Sequence, residues 1–106
     1  MKRRYEVIVS RRAEQMLTSH VCFLARASVK AARRLRNEYA ETLDALEYNP
    51  FQFPPAEDLG LPDEYRKALL GKRYQVIFYV EGDTVYLDAV LDCRMDILMS
   101  EKIFRS

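Results

Sequence analysis

The chain has 106 residues, of which 49% are hydrophobic, and a formal net charge of +1 at pH 7. This size and composition predict one soluble globular domain over residues 1–106. No apolar run approaches the roughly 20 residues that cross a bilayer, and the charged start MKRRYEVIVSRR leaves no signal-peptide core, so we expect a cytoplasmic protein.

The first half of the chain predicts a strand followed by two amphipathic helices. Residues 5–9 alternate around β-branched side chains, and Ser10 can cap a first helix that runs to about Arg26. Ser28 offers a second cap, for a helix that ends before Asn49 and Pro50. Two apolar stripes recur at helical spacing: Ala13, Met16, Leu17, Val21 and Leu24, then Ala32, Leu35, Tyr39, Leu43 and Leu46. We expect an antiparallel helical hairpin packed on a sheet.

A proline-rich loop separates the helices from three predicted strands. Residues 49–64 hold all four prolines, and we expect Phe51 and Phe53 to be tucked against the domain edge. Strands are predicted at 65–70, 73–80 and 84–91, and the middle one is central because both of its faces are apolar.

Strand periodicity assigns faces in this meander. In the last strand, strict alternation places Val85, Leu87, Ala89 and Leu91 on one face and Tyr86, Asp88, Val90 and Asp92 on the other. Residues 95–106 fit a short helix against the core or an apolar surface awaiting a partner, and their length favours the helix.

Charge is unevenly distributed along the chain. Residues 1–36 hold ten basic residues against two acids, a net charge of +8, which leaves −7 for the rest. Such a concentration of cations suits binding of an anionic partner, although solvated helix faces are often equally basic.

The two cysteines, Cys22 and Cys93, lack the spacing of a metal site and are expected to be thiols. We expect no metal or other cofactor.

The order of elements and the meander YRKALLGKRYQVIFYVEGDTVYLDAVLDCRMD resemble the RelE/ParE superfamily of toxins from type II toxin-antitoxin systems. The likeness extends from Tyr5 to Asp96. It implies an α+β fold in which a helical hairpin packs on a small, mainly antiparallel sheet. It also implies a cognate antitoxin, for which we expect Arg33, Arg34 and Arg36 to form a binding surface.

Members of the RelE branch cut mRNA on the ribosome without a metal by activating a ribose 2′-hydroxyl against the adjacent phosphate. This chemistry needs a proton acceptor, cations around the phosphate and a donor for the leaving oxygen. By resemblance, Arg66 and Arg94 match the family's arginines at the start and end of the meander. They are the candidate catalytic residues, together with Asp92 as the candidate base.

The chain also departs from the RelE pattern. Four positions differ: Ala68 stands in place of a lysine, Gln75 of an arginine, Asp92 of a histidine and Ile97 of a tyrosine. Three residues are candidates for substrate binding. Lys72 and Arg73 would supply the missing cations, and Tyr79 would stack on RNA. Lys67 falls on the opposite face from Arg66.

Two alternatives compete with a catalytic role for particular side chains. The positive charge of Arg94 is expected to lower the pKa of Asp92. A carboxylate with a lowered pKa is better suited to a structural ion pair than to the role of a base. His20, on the first helix, is expected to pack beside the apolar stripe.

Three functions follow from the resemblance. The first, which we predict ahead of the other two, is a metal-independent, ribosome-dependent mRNA endonuclease that inhibits translation, with ribosome and mRNA as partners. The second is ParE-like inhibition of DNA gyrase through protein contacts, which fits the departures from the nuclease pattern. The third is a non-catalytic member that binds an antitoxin or regulates a small operon.

Overall fold

The structure is a computed structural model that describes residues 4–94. Its elements are β1 (Glu6–Val9), α1 (Arg11–Ala27), α2 (Val29–Tyr48), β2 (Arg66–Leu70), β3 (Tyr74–Glu81) and β4 (Thr84–Asp92), with short 3-10 helices at Pro50–Gln52 and Glu57–Leu59. The predicted α+β order is confirmed. The predictions for Met95 to Ser106 lie outside the described residues, and the single domain over residues 1–106 stays a prediction.

The strands form a mixed sheet in the order β1-β4-β3-β2. β1 runs parallel to β4, with Val7 opposite Val85, whereas β3 runs antiparallel to both β2 and β4. The prediction of a central β3 in a mainly antiparallel sheet is therefore confirmed.

None of the helices within residues 4–94 has the length and apolarity that a membrane span requires.

Two serines set the helical hairpin. Ser10 Oγ accepts a hydrogen bond from the Ala13 amide at 3.0 Å, and Ser28 Oγ accepts one from the Ala31 amide at 3.0 Å. Ser28 also ends α1, since its amide donates to the Leu24 carbonyl at 2.8 Å. Each side-chain cap stabilises its helix by about 1 kcal/mol. One residue therefore turns the chain from α1 into α2, as the sequence predicts.

The main core lies between the hairpin and one face of the sheet. Its buried members include Ala13, Leu35, Leu46, Leu70, Tyr74, Val76, Phe78, Val85, Leu87 and Val90. Residues of both predicted apolar stripes pack here, so the predicted helix faces are confirmed. We call the opposite side of the sheet the open face.

A β-bulge in β4 corrects the predicted alternation. Ile77 lies opposite Ala89, but the next residue, Phe78, lies opposite Leu87, which leaves Asp88 as an extra residue in β4. Such an insertion shifts the faces of the residues beyond it. Leu87 and Val90 therefore both pack in the main core, and the prediction that alternation separates them was wrong.

The loop between α2 and β2 covers part of the open face. Ala56 and Leu59 form a second buried cluster with Ile77, Ala89 and Leu91. Phe53 packs edge-on against Phe78, with 6.0 Å between the ring centroids, as expected. Phe51 is 52% exposed, so its predicted burial was wrong.

Candidate functional site

A cleft of about 510 Å³ opens at one end of the sheet, between the helices and the β2–β3 turn. Its lining residues are Leu24, Ala31, Arg34, Leu35, Glu38, Leu70, Gly71, Lys72, Arg73 and Tyr74. The cleft therefore brings cationic side chains from α2 and from the turn to an apolar floor.

The β2–β3 turn needs a glycine where it passes α2. Gly71 has a φ of 63°, in the left-handed region that residues with a Cβ disfavour. A Cβ at this position would also lie 3.3 Å from the carboxylate oxygens of Glu38. Because the backbone of the β2–β3 turn passes close to α2 at Gly71, Lys72 and Arg73 line the same cleft as Arg34.

An arginine-aspartate pair lies beside the cleft, because Asp92 at the end of β4 is opposite Tyr74. Arg94 donates from Nε to Asp92 Oδ1 at 3.0 Å and from Nη2 to Oδ2 at 2.7 Å. Its backbone amide adds a third bond, at 2.9 Å. These bonds outweigh the opposing effect of burial and lower the pKa of Asp92 to about 2. At neutral pH the carboxylate is therefore ionised and is a weak proton acceptor.

Two buried donors in this region lack an acceptor. Tyr74 is 3% exposed, and neither its hydroxyl nor Arg73 Nε has a hydrogen-bond partner. Arg73 Nε lies 3.8 Å from Asp92 Oδ2. Burial raises the pKa of Tyr74, which keeps the hydroxyl protonated. Because an unsatisfied buried donor costs about 1–3 kcal/mol, both atoms favour a ligand that accepts hydrogen bonds.

Aromatic rings hold the Arg73 guanidinium in place. It lies 5.3 Å from the ring centroid of Phe23 and 5.4 Å from that of Tyr74. The Tyr74 ring in turn packs against His20, with 4.7 Å between centroids. His20 Nε2 lies 2.8 Å from the Val90 carbonyl, and it must donate there because a carbonyl only accepts. These contacts support the packing role expected of His20.

The structure does not bring Arg66 to this end of the sheet. Arg66 pairs with Phe78, four positions along β3 from Tyr74, which is roughly 13 Å of strand. Its Nη1 donates to the Phe53 carbonyl at 2.6 Å, and its guanidinium lies 5.1 Å from the Phe51 ring centroid. Arg66 thus fastens the loop to the sheet, away from Arg94.

Tyr79 lies on the open face, separate from the cleft. It stacks on Tyr86 with 5.1 Å between ring centroids and meets the edge of Tyr65 at 5.5 Å. Lys67 also follows the expected alternation, because it pairs with Ile77 whereas Arg66 pairs with Phe78.

The predicted partner-binding arginines lie along α2. Arg33, Arg34 and Arg36 are all exposed, and of these three Arg34 lines the cleft. Four other predicted site residues meet at the same end of the sheet: Lys72, Arg73, Asp92 and Arg94. Two residues that line the cleft, Tyr74 and Glu38, were not among the predicted site residues. The one available signal for Tyr74 was its position directly after two cations.

The side chains at this end of the sheet suit an anion. Arg34, Lys72, Arg73 and Arg94 carry four positive charges, against the two negative charges of Glu38 and Asp92. Arginine forks and a tyrosine hydroxyl are good donors to carboxylate or phosphate oxygens. Within residues 4–94, no group of three or more His, Cys, Asp or Glu side chains is placed to hold a metal ion.

Comparison with known proteins identifies one family. Residues 7–97 match the family described as ParE toxin of type II toxin-antitoxin system, parDE. A search of curated proteins found no match.

Proposed function

Because the chain belongs to the ParE toxins of type II toxin-antitoxin systems, within the RelE/ParE superfamily, we propose that it inhibits DNA gyrase through protein contacts. A toxin of this class has a cognate antitoxin as its partner. The observation that carries the proposal is the separation of Arg66 from Arg94. Gyrase acts on DNA in the bacterial cytoplasm, so this function also calls for a cytoplasmic protein.

The position of Arg66 argues against a shared phosphate site. To contact a phosphate beside Arg94, Arg66 would have to leave the Phe53 carbonyl, to which it donates at 2.6 Å. It would also have to cross the roughly 13 Å of strand between the two register positions. The partly buried loop carbonyl would lose a charged donor, which typically costs about 1.5–3 kcal/mol. The resting geometry therefore favours a structural role for Arg66.

The state of Asp92 argues in the same direction. Both of its oxygens accept hydrogen bonds from Arg94, and its pKa is lowered to about 2. Efficient general bases have pKa values near the working pH. A carboxylate held in this way stabilises the end of β4 better than it removes a proton from a ribose hydroxyl.

The cleft suits the antitoxin. The unsatisfied donors on Arg73 and Tyr74 call for an acceptor, and Arg34 and Lys72 make a carboxylate the favoured one. The exposed Arg33 and Arg36 extend this cationic surface along α2. We propose that an acidic segment of the antitoxin covers α2 and inserts a carboxylate into the cleft.

Cleavage of mRNA is the second candidate function. It is favoured by the grouping of Lys72, Arg73 and Arg94 with the protonated hydroxyl of Tyr74, which together could hold a phosphate and supply a donor. In this form the nuclease would act without Arg66.

Two assays on purified toxin distinguish the candidates. One measures supercoiling of relaxed plasmid by purified gyrase, and the other measures cleavage of mRNA on programmed ribosomes. We expect loss of supercoiling with intact mRNA, and addition of the antitoxin should restore supercoiling. Cut mRNA with normal supercoiling would overturn the proposal and favour the nuclease.

The same distinction can be made in cells. Inducible expression is followed by incorporation of labelled thymidine, uridine and amino acid. Gyrase inhibition predicts that thymidine incorporation falls first, whereas mRNA cleavage predicts that amino-acid incorporation falls first. Co-expression of the antitoxin serves as the control, because it should restore growth in either case.

A further inference from the structure

Three tyrosines form a continuous row across the open face. Tyr86 stacks on Tyr79 at 5.1 Å with 21° between the ring planes, and the edge of Tyr65 meets Tyr79 at 5.5 Å. Ile8 lies opposite Tyr86 in the parallel β1–β4 register and is 44% exposed. The tyrosine row (Tyr65, Tyr79 and Tyr86) therefore ends beside an exposed apolar side chain.

Around this row three carboxylates, Asp88, Glu81 and Glu64, outnumber two nearby cations. Asp88 accepts a hydrogen bond from the Tyr65 hydroxyl at 2.8 Å. Burial raises the pKa of Tyr79, and the charges of Asp88, Glu81 and Glu64 raise it further. Two cations lie nearby: Lys67 on the same face of β2, and Arg12, which donates to the Asp88 carbonyl at 3.3 Å. The bulge at Asp88 produces this arrangement, because it adds a residue to β4 beside the tyrosines.

This chemistry selects a class of ligand. The excess of carboxylates over cations makes the row unfavourable for the phosphates of a nucleic acid, whose stacking sites in proteins lie in positively charged grooves. Arginine and lysine suit the row well, since each can lie over a tyrosine ring and pair with a neighbouring carboxylate. Tyrosine is also enriched at the centre of protein interfaces.

We propose that the tyrosine row is the surface through which the toxin binds gyrase, and that gyrase presents arginine or lysine side chains to it. The inference rests on the proposed function, because it assigns the open face to the target. The helical side of the molecule, with the exposed arginines of α2, then binds the antitoxin. The toxin thus has a cationic surface on α2 for one partner and a tyrosine surface with an excess of carboxylates for the other.

The test compares purified variants in the gyrase supercoiling assay. Tyr79→Ala and Tyr86→Ala remove rings from the row, Glu81→Gln removes one exposed charge beside it, and Glu81→Lys reverses that charge. Leu69→Ser is the matched control, because Leu69 is 61% exposed on the same face but lies near the other end of β2. Antitoxin affinity is measured for each variant as an independent check that the protein is folded.

We expect the toxin concentration for half-inhibition to rise by roughly tenfold for each tyrosine variant. Glu81→Lys should weaken inhibition more than Glu81→Gln, and Leu69→Ser should match the wild type. Antitoxin affinity should stay unchanged throughout. If a tyrosine variant also loses antitoxin binding, its fold is disturbed and its result is set aside. The comparison of Glu81→Gln with Glu81→Lys then tests the inference, since substitutions at this exposed residue do not disturb the core.

Three results would overturn the inference. Full potency of the Glu81 and tyrosine variants would place the gyrase surface elsewhere while leaving the proposed function intact. Stronger inhibition by Glu81→Lys would show that the partner surface is acidic. If the wild-type toxin leaves supercoiling unaffected, the proposed function fails and the inference fails with it.

Discussion

Arg94 contacts both carboxylate oxygens of Asp92, from Nε to Oδ1 at 3.0 Å and from Nη2 to Oδ2 at 2.7 Å. The two residues are separated by one position, so the pair closes a tight turn directly after β4. Bidentate arginine-carboxylate pairs of this kind fix geometry as well as charge. The pair lies beside the cleft and orders the end of the sheet.

The first prediction concerns pH. The folded pKa of Asp92, about 2, lies below the usual carboxyl value of 3.8, so its ionised form is favoured by folding. This contribution to stability is present above pH 3.8 and is lost as pH falls through 2. We expect Asp92→Asn to lower the free energy of unfolding at pH 7, and the difference from wild type to shrink between pH 4 and 2.

Urea unfolding at several pH values checks this first prediction. Asp44→Asn, at an exposed position of α2, is the matched control and should leave the free energy of unfolding nearly unchanged. If the difference in free energy of unfolding between wild type and Asp92→Asn stays constant down to pH 2, ionisation of Asp92 does not contribute to stability.

The second prediction concerns Arg66. Replacement by Met keeps much of the side-chain length but removes the charged donor to the Phe53 carbonyl. We expect a loss of about 1–2 kcal/mol of stability, concentrated in the loop over residues 50–64. Hydrogen exchange should show faster opening of that loop than in the control Lys30→Met, at an exposed position of α2. Unchanged protection would mean that Arg66 does not fasten the loop.

The third prediction compares two glycines. Gly71 and Gly82 have φ values of 63° and 61°, so alanine is strained at either position and should cost about 1–2 kcal/mol. An added Cβ meets nothing within 4 Å at Gly82 but lies 3.3 Å from Glu38 at Gly71. We therefore expect Gly71→Ala to be the more destabilising substitution.

A double-mutant cycle isolates the extra cost at Gly71. With Glu38→Ala in the background, Gly71→Ala should become as costly as Gly82→Ala, measured by thermal or urea unfolding. A cost for Gly71→Ala that is the same in both backgrounds would show that Glu38 moves aside freely.

The fourth prediction concerns the antitoxin. Reversal of the charges at Arg33, Arg34 and Arg36 to glutamate should weaken antitoxin binding by tenfold or more, mainly through slower association that is sensitive to salt. The three corresponding lysine substitutions keep the charge and should retain most of the affinity. Surface plasmon resonance at two salt concentrations measures both effects. Equal affinity for the reversed and wild-type toxins would exclude α2 from the interface.

Much of the fold follows from local signals in the sequence. Ser10 and Ser28 mark the helix starts because each precedes an apolar stripe and offers an oxygen to the first free amides. The grouping of Arg73 with Asp92 also follows, because short turns fix the register of a meander. The helix-facing and open faces of β3 follow from its alternation in the same way.

Other features depend on tertiary contacts that leave no local signal. The bulge at Asp88 is a one-residue insertion in the hydrogen-bond ladder, and strand periodicity alone does not reveal it. The engagement of Arg66 by Phe53 depends on the loop folding back over β2. Arg34 joins the cleft because of how α2 packs on the sheet, whereas its neighbour Arg33 does not.

The parallel pairing of β1 with β4 has a consequence for synthesis of the toxin. Ser10, just after β1, donates to the Asp88 carbonyl in β4, across 78 residues of sequence. Contacts between such distant segments form late and slow the folding of a domain. The ribosome makes β4 last among the described strands, so a nascent chain that ends before β4 lacks the strand that pairs with both β1 and β3. Prematurely terminated translation should therefore yield fragments that cannot poison the cell.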